Sequence, residues 1–299
     1  MNVHRRSHVL DIDEAVGWVE SGMTVGIGGF INSGHPMALV RALIRSGVDD
    51  LVVVGAASAG LEVDMLIAAG RVRKVITPYV GAEGLAPVGP AFRRAAQKGE
   101  IEVWELDEAH HYAGLRAAAQ RLPFNPWRAG VGTSIPEINT DIKVFRDPID
   151  DLPMLAIPAI NIDVCLLHAA VSDVYGNVQY HGNRYGDQAL FAASDRTVVE
   201  VESMISTEEV RRNPHATVIP GADAVVRAPF GAHPFSADGF YRLDEAHIGE
   251  YVAAATSWLR TDDRSGIDAY LDQYVFAAND HVEYLEQVGL RQLLSLSEY

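Results

Sequence analysis

The chain has 299 residues and carries 40 Asp and Glu against 24 Lys and Arg, a formal charge of −16 at pH 7. That excess excludes a nucleic-acid surface, which needs clustered cations against phosphate, and is accounted for by solubility. Hydrophobic residues make up 48% and charged residues 21% of the chain, a balance that excludes disorder, and no apolar run approaches the roughly 20 residues that span a bilayer.

The polar, basic start Met1-Asn2-Val3-His4-Arg5-Arg6-Ser7-His8 has no apolar run behind it and does not read as a secretory signal. Asp11-Ile12-Asp13-Glu14 predicts an N-capped helix to about Glu20. Apolar runs at 23–29, 51–56, 72–77 and 101–105 then alternate with helical segments near 36–46, 60–69 and 87–98. This alternation predicts an α/β fold with an open, mostly parallel sheet. The proline- and glycine-rich passage Leu122–Thr133 reads as a long irregular loop. A second strand-rich half starts near 142, with runs at 163–169, 196–202, 216–219 and 223–227 and turn chemistry at Asp173-Val174-Tyr175-Gly176-Asn177. The segment from about 243 onward predicts amphipathic helices covering the sheet, and the whole of 1–299 reads as one α/β domain. The single cysteine, Cys165, lies in an apolar run and reads as a small core residue; with no internal disulfide to form, a cytoplasmic location is expected.

The most informative stretch is Thr24-Val25-Gly26-Ile27-Gly28-Gly29-Phe30-Ile31-Asn32-Ser33-Gly34-His35-Pro36. An apolar strand enters a glycine-rich turn, and a proline opens the next helix. It matches neither the dinucleotide fingerprint, because Ile31 stands where the third glycine belongs, nor a Walker loop, which needs Gly-Lys-Ser/Thr. It suits a carbonyl oxygen or an acyl group instead. Three further constellations carry chemistry-bearing residues. Ala56-Ala57-Ser58-Ala59-Gly60 approximates a nucleophile elbow but has Ala in the first glycine position. Glu108-Ala109-His110-His111 has a Glu-x-x-His spacing without a second copy, and no metal site is expected from it. In Ile101-Glu102-Val103-Trp104-Glu105, strand alternation puts Glu105 at the end of the face shared by Ile101 and Val103. Partial desolvation there would suit it to proton transfer.

Taken together, Gly28-Gly29-Phe30 with Ser33-Gly34-His35-Pro36, Tyr79-Val80-Gly81-Ala82-Glu83, Gly99-Glu100-Ile101-Glu102-Val103 and Asp173-Val174-Tyr175-Gly176-Asn177 resemble the A subunits of the family I coenzyme A transferases over roughly 20–230. The resemblance implies a fold of the NagB/RpiA/CoA-transferase type, a B-type partner in an α2β2 heterotetramer, and an acyl-CoA bound between unlike subunits. It also implies that coenzyme A enters as part of the substrate, with no separate cofactor, and that neither nucleic acid nor membrane is a partner. Gly28, Gly29, Phe30, Asn32, Ser33 and Gly34 become the substrate and oxyanion loop, and Ser58, Tyr79, Gly81 and Glu83 become candidates for the pocket wall. Many A subunits continue the 101–103 strand into Pro-Gln-Gly-Thr, whereas this chain reads Leu106-Asp107-Glu108-Ala109-His110 with Glu105 just before it. The sequence is most similar to a branch of the family that hydrolytically opens the last ring of a cholesterol-derived cyclic β-keto CoA thioester, which makes Glu105 the expected catalytic residue. The alternatives are CoA transfer from an acyl-CoA to a carboxylic acid, with the nucleophilic glutamate on the partner, and a non-catalytic CoA-binding subunit.

Overall fold

A computed structural model describes residues 6–297, so Met1 to Arg5 of the basic start lie outside the described residues. Asp11 caps the first helix, Ile12–Val16, by accepting the N–H of Glu14 at 2.7 Å, and the helix stops there rather than near Glu20. Four strands follow, β1 (Thr24–Ile27), β2 (Leu51–Val54), β3 (Val72–Ile76) and β4 (Glu102–Val103), paired side by side and parallel. Helices Met37–Ser46, Leu61–Ala68 and Pro90–Lys98 make the crossovers. β2 is Leu-Val-Val-Val and buried throughout, as a strand covered on both faces requires. The first and third of these helices end on Gly47 and Gly99 in the left-handed conformation, which releases the chain without a Cβ penalty.

The passage expected to be irregular contains β5 (Phe124–Trp127), which joins β6 (Lys143–Arg146) and β7 (Pro153–Pro158) in a separate antiparallel sheet of order β5-β7-β6. Pro126 is tolerated because β5 is an edge strand, with no second neighbour to miss the absent N–H. The second half supplies β8 (Ile162–Ser172), β9 (Asn177–Gln179), β10 (Ser194–Met204), β11 (Thr217–Pro220) and β12 (Ala224–Arg227). The parallel strands run β12-β10-β8-β1-β2-β3-β4, and β9 and β11 add an antiparallel extension at the end of β8. The turn between β8 and β9 closes on Asp173, whose Oδ1 accepts the N–H groups of Tyr175 and Asn177, both at 3.0 Å.

Alternation along the central strands feeds two cores. Val164 and Leu166 of β8 face one with Leu43, Leu66, Tyr251 and Trp258, while Cys165 and Leu167 face the other with Leu115, Leu155 and Leu190. The helices Glu245–Thr261 and Ser265–Leu271 close the first core, and among the described residues no helix is long and apolar enough to cross a membrane.

Candidate functional site

In a parallel sheet, ligands gather where the strands end at their carboxyl side. The loops that leave β1, β2 and β3 are laced together there by backbone bonds from Ile31 N to Ser58 O (2.8 Å), Ala59 N to Tyr79 O (3.1 Å) and Gly81 N to Ala59 O (3.2 Å). The lacing needs bare backbone. A Cβ on Gly28 would stand 2.5 Å from Leu167, and one on Gly29 (φ 103°) would stand 2.4 Å from Nδ1 of His35. Gly81 sits under the Tyr79 hydroxyl, which accepts the N–H of Glu83 at 3.1 Å.

The loop after β1 folds into a tight turn in which Phe30 N bonds Ser33 O (2.8 Å) and Ser33 N bonds Phe30 O (2.9 Å). Ile31 at its tip has φ 50°, a conformation that costs a β-branched residue roughly 1–3 kcal/mol and that concentrates at functional sites. Accounting for each N–H narrows the loop expected from sequence. Gly28 N bonds Leu166 O at 3.0 Å, Gly29 N bonds Oδ1 of Asp187 at 3.0 Å, and Phe30 N is held within the turn, so none of the three is free for a ligand. Among the described residues the N–H of Asn32 has no acceptor, and its buried Oδ1 has no donor. The group able to meet a ligand lies three to four residues beyond the glycines that shape the turn.

Phe30, Asn32, Ser33 and Glu83 line one cavity of about 540 Å³, together with Asn183, Tyr185, Ser236, Asp238 and Arg242 from the second half of the chain. Tyr185 forms a wall: its ring stacks on Phe30 at 5.7 Å and 4°, and its hydroxyl donates to Ser33 Oγ at 2.7 Å. Asp238 holds the same segment through the Asn183 N–H at 2.9 Å. Gly34 lies under the Tyr185 ring, and a Cβ there would come within 3.0 Å of the ring. Sequence reading missed these partners because Tyr180–Gly186 has no periodicity; its two tyrosines and two glycines in a polar loop were the available signal.

Glu105 is placed differently. β4 ends at Val103, and the next residue, Trp104, turns into the second core with Nε1 donating to Asp141 at 2.9 Å. Trp104 faces the core opposite the one Ile101 packs against, as strand alternation requires, but the strand itself has already ended. Glu105 is therefore exposed beyond the end of β4, and it does not line the Phe30–Tyr185 cavity. Its main chain is fixed, with Asn139 Nδ2 donating to its carbonyl at 2.8 Å. The remaining constellations are structural in placement: Ser58 bonds through its carbonyl, and His110 and His111 are both buried on the helix Glu108–Ala119 while Glu108 is exposed.

Buried ionisable groups crowd beneath the glycine turn. Burial pushes Glu62 up to about 8 and Asp187 up to about 6, partly offset by hydrogen bonds from backbone amides, that of Gly60 to Glu62 and that of Gly29 to Asp187. Glu200 is pushed up to about 7 by the same cause. Burial pushes His35 and His111 down to about 4. The unfolded chain takes up protons on its histidines below their ordinary value of 6.5, which the folded chain resists, so the histidine contribution to stability is lost as pH falls there, against an opposite contribution from the buried carboxyls. Above 6.5 the carboxyl contribution stands alone, because unfolded glutamates are already ionised while Glu200 and Glu62 still hold protons in the fold. The midpoint of thermal unfolding is expected to fall between pH 6.5 and 8.5; scans showing a rise across that window would contradict the assignment.

Comparison with known proteins places this architecture. The profile of the Coenzyme A transferase family matches residues 9–228. The chain belongs to that family. It is 38% identical to the cholesterol ring-cleaving hydrolase IpdA subunit of Rhodococcus jostii over 264 residues, covering 85% of this chain and 88% of that one. It is 31% identical to the A subunit of glutaconate CoA-transferase of Acidaminococcus fermentans over 309 residues, covering 97% and 94%. The crystal structure of glutaconate coenzyme A-transferase from that organism superposes with a TM-score of 0.90 at 30% identity, covering 98% of this chain and 96% of the other. A longer Archaeoglobus fulgidus protein is 37% identical over 284 residues, and the chain spans 62% of its length.

Proposed function

We propose that this chain is the A-type component of an enzyme that hydrolyses a carbon–carbon bond in a cyclic β-keto acyl-CoA derived from a steroid ring, working in the cytoplasm as an α2β2 assembly. The observation that carries the reading is a carboxylate, Glu105, held by its backbone at the same sheet edge as a turn whose Asn32 N–H has no acceptor of its own. Glu105 takes a proton from water, and the oxygen attacks the ring ketone. The reading requires the bound ring to reach from the Phe30–Tyr185 cavity to Glu105, and there the ketone oxygen becomes an anion that the Asn32 N–H meets, a contact worth about 3–4 kcal/mol when preorganised. The ring bond breaks with its electron pair passing to the carbon α to the thioester, and the proton returns there from Glu105. The product is an open-chain acid still joined to CoA. The steps call for no metal or separate cofactor.

Support comes from the named activity of the Rhodococcus relative. CoA transfer is the second reading, favoured by the similarity to the glutaconate CoA-transferase A chain along nearly the whole length. Glu105 is exposed in this chain alone, and a B-type partner seated on the sheet edge would take it out of water. The lone chain is accordingly expected to show no turnover and the co-expressed pair to open the cyclic thioester with uptake of one water. Size-exclusion chromatography with product mass analysis checks both; full activity in the lone chain would remove the need for a partner.

A further inference from the structure

The turn that carries Asn32 is held from below by two side chains that take no part in the steps above. His35 and Glu62 are both fully buried, with Nδ1 of the ring 3.3 Å from Oε2 of the carboxyl. The ring reaches the carbonyls on both flanks of the turn, Gly28 O from Nδ1 at 2.9 Å and Ile31 O from Nε2 at 3.2 Å. Phe235 packs edge-on against the ring at 4.6 Å. Glu62 takes the Gly60 N–H on Oε1 at 3.0 Å, while its Oε2 has no other partner. No space is left around the ring: a Cβ on Gly60 would lie 2.7 Å from Nε2 and one on Gly29 2.4 Å from Nδ1.

We propose that His35, backed by Glu62, is a positioning residue whose ring is wedged between the carbonyls of Gly28 and Ile31, donating to one of them at rest, and thereby holds the Ile31 turn in the form that leaves the Asn32 N–H unpaired at the cavity wall. Two carbonyls can only accept, so one neutral ring satisfies one of them, and a proton taken from the adjacent Glu62 lets the ring bond both. Burial drives both groups toward neutrality, which keeps that proton on Glu62 in the resting state. Without the ring, the turn loses its support from below, and the positive φ of Ile31 is left to its own N–H bond to Ser58 and the paired bonds between Phe30 and Ser33.

The kinetic arm of the test rests on the reading proposed above, and the exchange arm does not. In the full chain without substrate, His35→Leu is expected to raise hydrogen exchange of the Ile31 amide at least about tenfold. His35→Asn and His35→Gln, each able to keep one donor, should fall between it and the parent. In the complex, His35→Leu should lower kcat for the cyclic thioester about 100-fold, the cost of a misplacement near 1 Å, with KM within about twofold. If no variant opens a ring substrate yet the Ile31 amide is unprotected in His35→Leu, the functional reading fails and the positioning role stands. Parental exchange at Ile31 in His35→Leu, or parental protection in His35→Leu beside loss in His35→Asn, overturns the proposal. Should His35→Leu fail to fold, the ordering of His35→Asn and His35→Gln between parent and exposed amide decides it, and parental protection in both refutes it.

Discussion

Glu105→Gln is expected to lower turnover of the cyclic thioester by about 10²–10⁴-fold, the usual contribution of a positioned general base, while thioester binding and assembly persist. The substitution is a clean one here. The side chain makes no hydrogen bond among the described residues, and the backbone around it is held by Asn139 and by Trp104 on Asp141. Thermal stability should therefore stay at the parental level, so that lost turnover cannot be laid to unfolding. Under CoA transfer the result differs, because the covalent glutamyl thioester forms on the partner and can be trapped by hydroxylamine or borohydride. Normal turnover in Glu105→Gln with a trapped thioester on the B-type partner would sink the hydrolytic assignment.

How far the sequence disclosed this depends on what kind of signal each residue gives. β2 and the helices around it were legible because an unbroken Leu-Val-Val-Val run between helical segments has a local physical cause. β5 was hidden because prolines argue against strands in general, and only its edge position makes Pro126 harmless. The alternation that placed Glu105 on an apolar face holds through Trp104, which faces the opposite core, but the strand ends at Val103 and leaves Glu105 exposed beyond it. At the glycine turn, the loop expected from sequence ran from Gly28 to Gly34 and so contained Asn32, but it did not single out which amide is left without an acceptor. Which N–H groups are already spent depends on Leu166 and Asp187, more than 130 positions away along the chain, and no local pattern contains that information. Tyr185 and Asp238 join the cavity for the same reason, through contacts that close only when the two halves of the fold meet.

Gly29→Val should be the most disruptive single change in the turn. Gly29 has φ 103° and no room for a Cβ, because His35 stands 2.4 Å away and is itself buried against Phe235. Strain of roughly 1–3 kcal/mol adds to overpacking of similar size. Displacement of the Gly29 N–H from Asp187 also removes a donor from a buried carboxylate. Together these are expected to lower the midpoint of unfolding by about 5–15 °C, at about 2–4 °C per kcal/mol, and to abolish measurable turnover. Gly47→Ala is the matched control. Its φ is 82°, yet nothing lies within 4 Å of the added Cβ. Only backbone strain of about 1 kcal/mol applies, and turnover should survive. Differential scanning and kinetics on the same preparations separate the contributions. If Gly29→Val and Gly47→Ala lost equal stability and both kept parental turnover, the close packing of His35 under the turn would have no bearing on the site.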